Sequence, residues 1–131
     1  MARVAAAPAA SEADELRALL VTHNVCGVFD HMASALPFWV QELQALVREQ
    51  NADFVAVHMQ EVGGADWKKG DLKLDTFVQS LEGGFPEFWS SGLLCSTDTS
   101  PQCFSALGCF YLVPRPASPR PAPPPLLLAS T

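Results

Sequence analysis

The stretch Phe54-Val55-Ala56-Val57 narrows the folds open to this chain more than any other. It is short, apolar and rich in β-formers, and it has no alternation of apolar and polar residues. Asn51 bounds it upstream and Gly63-Gly64 downstream. A strand with this pattern is buried on both faces and lies inside a sheet. It ends in Gln60 and Glu61, and a carboxylate at the carboxyl end of a buried strand stands where α/β proteins build their sites. A second run, Leu19–Val25 (LLVTHNV), has the same form and ends in Thr22, His23 and Asn24. Side by side, the two strands bring an amide oxygen from Asn24 near the Glu61 carboxylate. Two hard oxygen donors with few other protein ligands suit Mg²⁺, which retains water and leans on substrate phosphates.

Between these runs, Phe29–Leu36 is expected to be a loop entering a helix, with Ser34 as its N-cap and Pro37 in its first turn. Trp39, Leu43, Leu46 and Val47 then recur at helical spacing through to Gln50, a stripe that belongs to the core. Gly63–Gly70 forms a loop whose Lys68 and Lys69 are most simply solvated. Asp71–Leu81 is expected to be a second helix, stopped by Gly83-Gly84. Phe85–Leu94 is aromatic and rich in turn formers, and does not declare itself. Cys103–Val113 resumes as a strand. Strands with intervening helices make this an α/β chain rather than a bundle or a pure β barrel.

Three blocks, LLVTHNVCGVFD (Leu19–Asp30), FVAVHMQEVGG (Phe54–Gly64) and FSALGCFYLV (Phe104–Val113), together resemble the type I inositol-polyphosphate 5-phosphatases of the endonuclease/exonuclease/phosphatase superfamily. FWVQELQALV and LDTFVQSL resemble that family's first two helices. The resemblance implies the N-terminal part of a four-layer α/β sandwich, incomplete here. It also implies Mg²⁺-dependent hydrolysis of the 5-phosphate of inositol polyphosphates such as inositol 1,4,5-trisphosphate, the reaction that ends calcium signalling. On the matching motifs Glu61 is the principal metal ligand. Asn24 shares its cluster, holding metal or phosphate, and Gln60 orients them. The family's GDxN, WCDR and SDH blocks, which carry its base-like Asp, further phosphate ligands and its catalytic His, do not occur in this sequence. The resemblance therefore implies a truncated phosphatase that is inactive alone. His23 is expected to point to the opposite face from Asn24, and His58 to be structural.

The segments divide as 1–15, a disordered Ala-rich and acidic leader; 16–113, the partial phosphatase domain; and 114–131, a disordered tail. That tail, PRPASPRPAPPPLLLAST from Pro114, cannot join a ladder because proline lacks the N–H. The runner-up reading is a non-catalytic interaction or decoy module that shows Pro116–Pro119 and Pro121–Pro124 to SH3- or WW-type domains. A net charge of -6 with only eight Lys and Arg disfavours nucleic acid and fits a polyanionic substrate poorly. Cys26, Cys95, Cys103 and Cys109 have no CxxC spacing, so reduced thiols in the cytoplasm are expected, without zinc. Leu126–Leu128 is too short to cross a bilayer. The family's C-terminal lipid signal, a route to the plasma membrane, is absent from this sequence.

Overall fold

The computed structural model describes residues 16–69 and 72–116; the leader 1–15 and most of the proline-rich tail lie outside the described residues. Strand β1 spans Ala18–Asn24 and β2 spans Phe54–Gln60, paired in parallel with Ala18 opposite Phe54 and Asn24 opposite Gln60. Asp53 fixes the start of this register: its N–H donates to the Arg17 carbonyl at 2.8 Å, and its carboxylate accepts from the Arg17 N–H at 2.9 Å. A parallel pair needs a crossover. It is supplied by α1 (Cys26–Asp30) and α2 (Met32–Gln50), which ends at Asn51 in the left-handed conformation (φ 46°). Asparagine tolerates that conformation better than most residues.

β5 (Leu107–Pro114) pairs antiparallel with the other side of β2. Along its far edge lie β3 (Phe88–Ser90) and β4 (Leu94–Cys95), giving a five-stranded mixed sheet in the order β1-β2-β5-β3 with β4 beside β5. α3 spans Leu74–Gly84 and packs beside α2. The core lies between the helices and one face of the sheet. It is built from Leu19 and Val21, Val55, Val57 and Met59, and Phe110 and Leu112, closed by Phe77 and Leu81 of α3 and Val40, Leu43 and Val47 of α2. Phe77 stacks on Phe29 with ring centroids 4.6 Å apart and on Trp39 at 5.6 Å.

Several expectations are corrected. Phe29 and Asp30, expected in a loop, close the short helix α1, and α2 begins at Met32, so Ser34 and Pro37 fall inside it. Ser34 bonds back to the His31 carbonyl rather than capping the helix. Gly83 and Gly84 are the last residues of α3, and the left-handed region is not used there. Cys103 lies in a turn ahead of β5. β1 is an edge strand with alternating burial, leaving Leu20 53% exposed. Val55, Val57, Phe110 and Leu112 all face the helices. The sheet face without helices carries Leu20, Phe54, Tyr111, Val113 and Trp89, with Leu107 at its end.

Candidate functional site

The in-register pairing of β1 and β2 brings their carboxyl ends to one corner of the sheet. The Val25 N–H donates to the Gln60 carbonyl at 2.9 Å, carrying the ladder one step past Asn24. The chain then turns at Glu61, which takes the left-handed conformation (φ 57°) despite its side chain. Such a conformation costs a non-glycine residue about 1–2 kcal/mol. It turns the Glu61 carboxylate back over the corner, where Oε1 accepts a hydrogen bond from Asn24 Nδ2 at 2.7 Å. The structure thus joins the two residues singled out in the sequence. Gln60 is exposed beside them, directly opposite Asn24.

The amide of Asn24 is oriented differently from expectation. Its Oδ1 accepts the Cys26 N–H at 3.0 Å, so the side chain shows Glu61 its N–H and not its oxygen. In this arrangement Asn24 positions the carboxylate, and a role as oxygen ligand requires the amide to turn over. The reason is local: an asparagine just before a helix closes a turn onto a backbone N–H two residues on.

Two further residues belong to the corner. Cys26 Sγ lies 3.4 Å from Asp30 Oδ2, one turn along α1. Hydrogen bonding to Glu61, burial and the nearby Asp30 push the Cys26 thiol up to about 11, so it stays protonated at neutral pH and is no nucleophile. Asp30 Oδ1 accepts the Ala65 N–H at 2.9 Å, and this bond holds its carboxyl below the usual range. Gly64 (φ 69°) permits that closure. A Cβ there would overlap Asp30 Oδ1 and sit 2.9 Å from the Phe29 Cβ. Sequence reasoning missed Cys26 and Asp30. Their i, i+4 spacing was the available signal, but it has meaning only once Cys26–Asp30 is taken as helical.

His23 points to the helix face as expected, stacked on Trp39 at 5.9 Å between centroids, with Nδ1 buried and unpartnered; burial lowers its pKa. His58 lies edge-on to Tyr111. Lys68 sits 5.6 Å over the Trp67 ring, which itself stacks on Phe104. The four cysteines are free. Among the described residues no three His, Cys, Asp or Glu side chains are placed to hold a metal ion, and no helix is long and apolar enough to cross a membrane. The donor set suits Mg²⁺ in kind, a hard carboxylate oxygen, and falls short in number: Glu61 offers one carboxylate and Asp30 is engaged by the Ala65 N–H and Cys26, leaving most of the coordination sphere to water. Pro116 is the last described residue of the first proposed SH3/WW-type segment, and the rest of both segments lies outside the described residues.

The fold and corner together define a mixed α/β chain that gathers polar side chains at the carboxyl ends of two parallel strands. The chain is similar to inositol polyphosphate-5-phosphatase A of Homo sapiens, 31% identical over 116 residues, and to that of Rattus norvegicus at 30%. The resemblance carried by the three sequence blocks thus extends over 86% of the chain. The chain spans 27% of the length of these relatives. No protein-family model matches it, and no solved structure gives a significant match.

Proposed function

We propose that this chain carries one corner of the active site of a Mg²⁺-dependent inositol-polyphosphate 5-phosphatase, and that by itself it does not turn over substrate at an enzymatic rate. Glu61 is the carboxylate that would hold the metal, Asn24 keeps it in place, and Gln60 flanks the pair. The observation that carries this reading is the 2.7 Å contact between Asn24 Nδ2 and Glu61 Oε1, formed where two parallel strands end together. The names of the relatives supply the reaction class and the inositol polyphosphate substrate.

Charge explains why such a corner works with a cation. Glu61 and Asp30 repel a phosphate on their own, and the chain's net charge of -6 adds to that field. Glu61 would hold a divalent ion there, and the chemistry such an ion would supply is reversal of the local sign and neutralisation of phosphoryl charge. The chain's own contribution is positional: Asn24 fixes one carboxylate oxygen, and the turn at Glu61 leaves that residue exposed at the corner.

A working site also needs a group to handle the proton of the attacking water. Cys26 keeps its proton to about 11, and the Asp30 carboxylate is engaged by Ala65 N–H and Cys26. His23 and His58 are packed against Trp39 and Tyr111. The absence of a positioned base commonly costs a factor of about 10²–10⁴. Phosphate release from inositol 1,4,5-trisphosphate with Mg²⁺ tests this, with Glu61→Ala as the control. The expected outcome is no release above that control. Turnover at ordinary enzyme rates that disappears in Glu61→Ala contradicts the incomplete-site reading.

A further inference from the structure

The sheet ends at β1, which pairs only with β2. Its outer row of N–H and C=O groups has no ladder partner among the described residues. Natural sheets usually blunt such an edge with lysine, proline or a bulge. β1 has none of these: ALLVTHN runs seven residues in unbroken register and carries no Lys, Arg, Asp or Glu. Beside the edge, beneath α2, lies a groove of about 610 Å³ with Val21, Val28, Trp39, Leu43 and Leu46 in its lining. Phe38, 64% exposed, also lines it. Glu42 and Glu49 line it from α2, both exposed and neither with an ion-pair partner among the described residues.

We propose that this groove binds an extended peptide that adds a strand to β1, with two basic side chains four residues apart on either side of an apolar one. The backbone edge supplies the hydrogen bonds of strand addition, and alternate side chains point beneath α2. Glu42 and Glu49 are seven residues apart on one helix, about 10.5 Å along its axis. Groove-facing positions on a strand recur every ~6.6 Å, so residues four apart span ~13 Å and long basic side chains absorb the difference. The apolar residue between them meets Leu43 and Leu46, which line the groove between the two glutamates. Charge selects this occupant over a second copy. Pairing β1 edge to edge would bring two chains of net charge -6 together with their glutamate-lined grooves adjoining.

The test uses the full chain and a fluorescent heptapeptide, Thr-Lys-Thr-Leu-Thr-Lys-Thr, followed by anisotropy at low salt. Binding is expected, weakened about three- to tenfold in Glu42→Gln/Glu49→Gln with the melting temperature unchanged. It is expected to be lost when the peptide amides that face β1 are N-methylated, a change that leaves the protein intact. The proposal is overturned by absence of binding, by equal binding of the N-methylated peptide or of one with glutamate in place of lysine, or by indifference to the double substitution. A chain that dimerises and excludes the peptide assigns the edge to a second copy and overturns it equally.

Discussion

Gly64→Ala is expected to destabilise the chain by about 2–4.5 kcal/mol, through the same loop that fixes Glu61. Three contributions set that figure. Alanine at φ 69° pays about 1–2 kcal/mol for the left-handed backbone. Loss of glycine's freedom in the unfolded chain returns about 0.4–1 kcal/mol. The new methyl overlaps Asp30 Oδ1 and approaches the Phe29 Cβ to 2.9 Å. Such overpacking costs about 1–3 kcal/mol, toward the upper half here, because the Phe29 Cβ is carried by the α1 backbone and no side-chain rotation moves it aside. For an ordered region of about 100 residues each kcal/mol moves the melting temperature by about 4–8 °C. Thermal unfolding followed by circular dichroism should therefore show a drop of about 10–35 °C. Asp30→Ala in the Gly64→Ala background should recover the part due to Asp30 and leave the part due to Phe29. A Gly64→Ala protein that melts within about 2 °C of the parent would refute the claim that this loop is held shut by close approach to α1.

Two further outcomes follow from the titrating groups. Burial lowers the His23 pKa, so the unfolded chain binds a proton more readily than the folded one. Stability tied to His23 is present above its unfolded value of about 6.5 and is lost as pH falls below it. Urea midpoints between about pH 7 and pH 5 should fall more steeply for the parent than for His23→Phe. The Cys26 thiol, raised to about 11, should alkylate with iodoacetamide at pH 8 far more slowly than the exposed Cys103, and Glu61→Gln should speed it, as peptide mass spectrometry can show.

The central pair of strands was legible because both apolar runs end in polar residues, and only a parallel pairing brings those ends together. The α2 stripe was legible from its period, although Val40 joins it and Trp39 and Leu46 remain half-buried. Other features depend on information that no local pattern carries. CGVFD is too short for a helical period, so α1 was missed, and with it the place of Cys26 and Asp30 at the corner. Pro37 within α2 defeats a boundary drawn from proline alone; its missing N–H removes one bond in the second turn, and α2 continues regardless. The face of β5 that meets the helices is fixed by pairing Val57 with Phe110, and a shift of one residue exchanges the faces. Composition alone could not decide that Phe110 is buried and Val113 exposed. The amide of Asn24 was legible in position and not in orientation, since the Cys26 N–H that takes its oxygen belongs to the missed helix.

The measurement closest to the central claim is paramagnetic broadening of backbone amide signals by Mn²⁺, which shares the oxygen-rich octahedral preference of Mg²⁺. Weak binding is expected, with broadening centred on Asn24, Glu61 and Val62, suppressed by excess Mg²⁺ and abolished in Glu61→Gln. Broadening centred on the α2 carboxylates Glu42 and Glu49, or a pattern unchanged in Glu61→Gln, would contradict the assignment of the β1–β2 corner as the metal-facing part of a phosphatase site.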